Sequence, residues 1–488
     1  MTRRILIKGA TIVSMDPATG DLPQGDILVA DGRIAEIAPQ IEAGDAEQID
    51  AFGRIAVPGF VNAHMHTWQT GLRGLASNWT LLEYFRWVHA GFATLFTPDD
   101  IGIATLVGAL GQIDAGATTL VDWCHNTATP AHTDAAIEAL AESGIRAAFF
   151  HGSPKPEAKP GVPHFSQTPH PRAEVERLRS GRFASNDGLL TLGLAILGPQ
   201  YSTLEVSRAD FRLARDFDLI ASMHQGGGEA KTPGGWETLI AEHLVGPRVN
   251  IVHGNDLSDK IIGQLIDLGA SFTVTPENEM TQGHGFPITG RLLARGVAPS
   301  LGIDLETVLA GDMMGAARSA LGMQRALDNA ESRCRAALQD PDAVGSPTTV
   351  SLFSSFHTSS SDTWAPFSGG RGIPPTTTIP VRQALAWITI EGARMLGLAH
   401  SIGSLARGKQ ADITLIDARA LHLQPVHDPA ATVIMQAGRG DIEAVMIAGR
   451  FMKRDGRLIA GALDEKLTRL AASGARIAAQ LRHAPRAP

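Results

Sequence analysis

The chain has 488 residues, 44% of them hydrophobic, with 42 basic against 50 acidic side chains and a net charge of −8. A chain of this length can bury a large core, while the scattered basic residues leave no electrostatic footprint for nucleic acid or an anionic membrane. The longest apolar runs, such as 103–110, fall far below the roughly 20 residues of a membrane span. The basic start Met1-Thr2-Arg3-Arg4 leads straight into a strand pattern without a signal-peptide core. Two cysteines, Cys124 and Cys334, make neither a disulfide framework nor a cysteine zinc site. A soluble, cytoplasmic protein is expected.

Residues 4–57 read as short strands broken by turns, with Asp31-Gly32 between alternating runs predicting a hairpin. The apolar run 54–57 passes through Pro58 and Gly59 into 60–66, a buried strand ending in His64 and His66. Spaced i and i+2, these histidines point to one side of the strand and can hold one metal ion between them. Thr97-Pro98-Asp99-Asp100 predicts a helix start and Gly116 its close. A strand over 118–124 follows, then a helix from about Asp134 to Gly144. Further strands are predicted at 146–151, 189–197, 219–224, 249–253, 271–275 and 298–304. With 60–66 these make eight, the number for an α/β protein built as a closed (β/α)8 TIM-like barrel. The segment 353–378, rich in Ser, Thr, Gly and Pro, breaks the rhythm as a lid or a disordered loop, with His357 a lid candidate. Strand patterns return at 411–417 and 442–450. The two chain ends are expected to pair into a small β-sandwich, 1–57 with 401–460, flanking a barrel over 58–400. A C-terminal helix and tail occupy 461–488.

An active site in such a barrel lies at the carboxyl ends of its strands. Here His64 and His66, His224, His253 and Asp304 all end strands. Any one of them alone reads as a structural histidine or a helix-capping aspartate; four strand ends converging on one mouth read as a site. Imidazoles with a carboxylate suit a borderline divalent ion, zinc or iron(II). A water bound there would have its pKa lowered towards about 7, and Asp304 could take its proton as general base.

The order and setting of these residues resemble the amidohydrolase superfamily, in the branch of cytosine deaminase, S-adenosylhomocysteine deaminase and the triazine hydrolases. The resemblance covers nearly the whole chain. It includes the Pro58-to-His66 entry and the late stretch Gly403-Ser404-Leu405-Ala406-Arg407-Gly408-Lys409-Gln410-Ala411-Asp412. It implies His64, His66, His224 and Asp304 as metal ligands, with His253 polarising the substrate or the attacking oxygen. Two-metal members of the superfamily bridge their ions with a carbamylated lysine on the fourth strand. The predicted strand 189–197 has none, so one ion per chain is expected. The family habit also implies a homo-oligomer, a dimer or tetramer, acting on a small-molecule substrate.

The chain departs from that branch where substrate is read. Its deaminases carry a glutamate three residues after the strand 5 histidine; here that position is Gly227. Glu229, two residues on, is a catalytic candidate if the glycines bring it in; Glu277 and Glu279 are alternative proton shuttles or substrate contacts. Val274 stands where the branch has a histidine, and Leu305-Glu306-Thr307 follows Asp304. These changes argue against a purine or adenosine deaminase. Trp68, Gln69, His125, His151, Gln200 and His284 are further candidates for substrate contact. The expected activity is hydrolysis of a C–N bond in a nitrogen heterocycle or small amide. The alternatives are hydrolytic removal of halide from a heterocycle and an inactive metal-binding scaffold.

Overall fold

The structure, a computed structural model, describes residues 4–339 and 376–481. Five strands open the chain: β1 (Arg4–Ile12), β2 (Leu22–Ala30), β3 (Arg33–Ala38), β4 (Glu47–Asp50) and β5 (Arg54–Pro58). Eight follow: β6 (Phe60–Met65), β7 (Ala117–Cys124), β8 (Arg146–Gly152), β9 (Leu190–Ala195), β10 (Ala221–Gln225), β11 (Val249–His253), β12 (Ser271–Val274) and β13 (Ser300–Leu301). Four close it: β14 (Ile413–Asp417), β15 (Ile442–Ile447), β16 (Arg450–Arg454) and β17 (Arg457–Leu458).

Strands β6 to β13 lie side by side in chain order, all parallel, with near-continuous burial as expected for strands covered on both faces. The ring closes at a seam between its first and last members. Asp304 N–H donates to the His64 carbonyl at 3.0 Å, and His66 N–H donates to the Asp304 carbonyl at 3.0 Å. Gly302 permits this approach, because a Cβ there would lie 2.5 Å from the His64 carbonyl oxygen. The predicted last strand is correspondingly short: regular pairing stops at Leu301 and resumes only as a single bridge between Met65 and Asp304.

The two chain ends pair, as predicted, into one mixed nine-stranded sheet. β14 runs antiparallel to β5 with Ile413 opposite Pro58, so the returning chain lies directly on the strand that feeds the barrel. The sheet is apolar on both faces, with Ile5, Ile7 and Ile27 in one cluster and Leu6, Leu28 and Ile41 in another. Arg146, which begins β8, fixes sheet to barrel through a buried ion pair to Asp412, Nε to Oδ2 at 2.9 Å.

The helix Pro98–Asp114 starts at Thr97, whose side chain and that of Asp100 cap each other's backbone N–H. The following helix, Pro130–Ser143, begins ahead of Asp134 because Pro130 occupies its first turn; it ends at Gly144. The terminal helix Leu463–Leu481 packs on Pro98–Asp114 through Leu470, and Ser473 Oγ donates to Asp100 Oδ1 at 2.6 Å. Among the described residues no helix is long and apolar enough to cross a membrane. Residues 353–375, including His357, lie outside the described residues.

Candidate metal centre

Strand alternation turns His64 and His66 to one side of β6, and β10 and β13 bring His224 and Asp304 to meet them. The Nε2 atoms of His64 and His224 are 3.2 Å apart. Asp304 Oδ1 lies 3.4 Å from His64 Nε2 and 3.2 Å from His66 Nε2. One ligand atom from each of the four residues lies within 4.8 Å of the others, and all four residues are buried. Around tetrahedral zinc with bonds of about 2.0–2.1 Å, neighbouring ligand atoms stand roughly 3.3 Å apart. The donor set therefore fits a divalent ion in both chemistry and spacing.

The surroundings prepare these side chains for a cation. His66 Nδ1 faces the Trp123 carbonyl at 2.6 Å, which takes the ring N–H and leaves Nε2 free to ligate. Burial holds the His64 imidazolium pKa down to about 3 and that of His224 well below its usual range, so both are neutral at pH 7. Burial alone would raise the Asp304 carboxyl. Its hydrogen bonds with His64 and His66 outweigh that and hold it well below the usual carboxylate range. Asn278 Nδ2 donates to the other oxygen, Oδ2, at 2.6 Å.

His253, at the end of β11, stands beside the cluster with Nε2 3.8 Å from Asp304 Oδ2. Its Nδ1 lies 3.2 Å from Glu279 Oε1 and 3.1 Å from Thr275 Oγ1. Burial opposes its charge, but Glu279 and Asp304 more than offset that, and its pKa rises above the ordinary value. His253 and Asp304 both adopt left-handed backbone, φ 71° and 65°. Such conformations cost non-glycine residues energy and concentrate at functional sites.

A tight cavity of about 30 Å³ lies over the cluster, bordered by His66, His224, His253 and Asp304. Of the residues singled out in the sequence for substrate contact, His125 and His284 line it. Trp68 Nε1 donates to His125 Nδ1 at 3.0 Å, which puts the His125 proton on Nε2. Trp68 and Gln69 themselves sit behind the wall: they lie in a short 3-10 helix, Thr67–Leu72, and Gln69 Nε2 donates to the Tyr84 hydroxyl at 2.6 Å.

The other candidates are placed away from the cavity. His151 pairs with His170, Nδ1 to Nε2 at 2.9 Å, and lines a separate outer pocket. Gln200 is spent on the glycine run, donating to the Gly228 carbonyl at 3.0 Å. Glu277 accepts from Ser319 Oγ at 2.8 Å. Glu279 lies under His253, also accepting from Thr275 N–H at 2.7 Å. Glu229 is exposed, because Gly226, Gly227 and Gly228 all take positive φ and lead the chain outward. Gly227 takes φ 95°, a conformation that side chains rarely adopt, and a Cβ there would also meet Leu81 Cδ2 at 2.4 Å, so this backbone disfavours a glutamate at the position where the sequence resemblance places one. Among the described residues, Asp304 is the one carboxylate lining the cavity.

Several lining residues escaped the sequence reading: Tyr84, His89, Lys155, Tyr201, Asn278 and Gln282. Asn278 and Gln282 carried a signal, an i, i+4 polar pair on the helix Pro276–Gln282 that leaves β12. Lys155 comes from a loop, and Tyr84, His89 and Tyr201 from helical turns of four or five residues, too short for any periodicity to announce them.

A parallel eight-stranded barrel with imidazoles and a carboxylate gathered at its carboxyl edge defines a class of barrel hydrolases. The model of the Amidohydrolase family matches residues 55–346 and 369–452, and the chain belongs to that family. It is 26% identical over 479 residues to a 5'-deoxyadenosine deaminase of Methanothermobacter thermautotrophicus, covering 95% of each chain. It is also 26% identical over 492 residues to a 5-methylthioadenosine/S-adenosylhomocysteine deaminase of Symbiobacterium thermophilum, covering 97% of this chain and 99% of the other. In fold it resembles the zinc-complexed atrazine chlorohydrolase of Arthrobacter aurescens, with a TM-score of 0.78, 21% identity, and 96% and 100% coverage.

Proposed function

We propose that this amidohydrolase removes ammonia or an alkylamine from a nitrogen heterocycle or small amide. The observation that carries the reading is the convergence of His64, His66, His224 and Asp304 in one buried cluster at the mouth of the barrel. These four would hold one divalent ion, zinc or iron(II). The absence of lysine from β9 (Leu190–Ala195) supports a single ion, and the zinc-complexed structural relative supports zinc. When bound, such an ion acidifies water so that it attacks at neutral pH.

The chain's own residues supply the rest. Asp304 Oδ2, between Asn278 Nδ2 and His253 Nε2, is placed to take the proton of the attacking water. His253, with Nδ1 held by Glu279 and Thr275, presents Nε2–H to the reacting group and stabilises charge that develops there. The neutral rings of His125 and His284 and the Tyr84 hydroxyl orient the substrate and leave little room for bulk water. We further assign the protein to the cytoplasm as a homo-oligomer, with the outer face of Leu463–Leu481 as an interface.

The test is ammonia or amine release from a panel of aminoheterocycles and amides by wild type, His253→Ala and Asp304→Ala. Release by wild type that falls about 100-fold or more in both variants supports the reading; equal release by Asp304→Ala overturns it. Loss of halide is the second reading. It is favoured because, among the described residues, Asp304 is the one carboxylate lining the cavity, and a departing halide needs no proton donor. Chloride release measured on chlorinated heterocycles in the same panel separates the two.

A further inference from the structure

Lys155 lies in the loop after β8, within Pro154-Lys155-Pro156. The two prolines line an outer pocket of about 620 Å³, whereas Lys155 turns the other way and lines the cavity over the metal-competent cluster. The residue is only 5% exposed. No hydrogen bond or ion pair joins its ammonium to any other described residue. What surrounds it is aromatic: Nζ stands 5.2 Å from the centre of the Tyr201 ring and 5.7 Å from those of Phe85 and Trp123.

Ring faces attract a cation, but they do not replace the water that burial removes. A buried charge is normally paired, and here the described residues offer no partner. Asp304 is already engaged by His64, His66 and Asn278. The remaining polar groups along this wall are imidazoles, phenols and amides. Burial accordingly brings the Lys155 amine down to about 7, against the pull of Asp304. An anion entering the cavity would supply the missing partner, and the ion implied by the cluster would add positive potential of its own.

We propose that Lys155 is a substrate-recognition residue, and that the natural substrate carries a carboxylate which pairs with its ammonium while the C–N bond to be cleaved rests at the metal-competent cluster. The inference rests on the reading of this cavity as the active site and narrows its substrate class to carboxylate-bearing heterocycles or amides. Lys155 makes no bond to the reacting atoms in this proposal; it fixes which molecules enter and how they lie.

The test is calorimetric titration of the protein as purified, its metal content measured, with formate, acetate and benzoate, and with benzamide as the neutral control. Wild type, Lys155→Met, Lys155→Gln and Lys155→Arg are compared at equal metal content, with circular dichroism reporting on folding. Saturable binding of at least one carboxylate is expected, weakened roughly 10–100-fold in the Met and Gln variants and largely kept in Arg. Benzamide should bind more weakly than benzoate to wild type and equally to all variants. Carboxylate binding unchanged in Lys155→Met and Lys155→Gln would place the anion on the metal and overturn the proposal. So would the absence of saturable carboxylate binding to wild type. Failure of the wider functional reading would appear separately, as lost metal or absent amine release.

Discussion

His64 and Asp304 meet twice: the Asp304 N–H donates to the His64 carbonyl at 3.0 Å, and their side chains face each other, Nε2 to Oδ1, at 3.4 Å. Closing the barrel and gathering the cluster are therefore one structural event. An ion held by both side chains would also tie the first barrel strand to the last, so binding it stabilises the fold by mass action.

Gly302 is where this coupling is most exposed to mutation. In Gly302→Ala the new methyl would lie 2.5 Å from the His64 carbonyl oxygen and 2.7 Å from its Cβ, both held by the strand. The seam must open. We expect a loss of about 1–3 kcal/mol in urea unfolding, together with a lower metal content. Unchanged stability with unchanged metal would show that the seam has slack.

Glu279 holds His253 from below and does not reach the cavity. Glu279→Gln keeps the shape but removes the charge beside Nδ1 and the preference for a proton there. Turnover on a confirmed substrate should fall on the order of 10–100-fold with metal content unchanged. The His253 pKa should fall as well, read by NMR of the ring. Wild-type turnover in Glu279→Gln would make the pair structural only.

A pH effect is expected at a group that does not line the cavity. Asp210 is buried, and burial pushes its carboxyl up to about 7, although His170 N–H donates to it at 2.8 Å. In the unfolded chain its pKa is about 3.9. Between those values the folded protein holds a proton that the unfolded chain releases, so stability falls as pH rises through this window. Asp210→Asn cannot ionise. Its stability should match wild type at about pH 4 and exceed it by on the order of 2–4 kcal/mol at about pH 8. The same difference at both pH values in urea unfolding would contradict this.

The cluster could be read before the fold was seen because each member ends a recognisable strand. His64 and His66 carry the further mark of i, i+2 spacing after a turn. His224, His253 and Asp304 follow apolar runs of strand length. The rest of the site depends on tertiary geometry. Trp68 and Gln69 follow His64 and His66 in sequence, yet the 3-10 turn directs them to support His125 and Tyr84. Glu229 looked reachable because glycines are permissive, but permissive backbone has no preferred direction, and here it runs outward. Lys155 gave no signal, since a lysine between two prolines reads as an exposed loop until the rings of Phe85, Trp123 and Tyr201 are seen around it.

The most direct measurement is metal content per chain by elemental analysis, on wild type and Asp304→Ala purified without chelator. A cluster of three imidazoles and one carboxylate predicts about one zinc or iron per wild-type chain and a large loss in Asp304→Ala. Two ions per chain would contradict the single-ion assignment. No metal in wild type, even after reconstitution, would contradict the metal-dependent hydrolase itself.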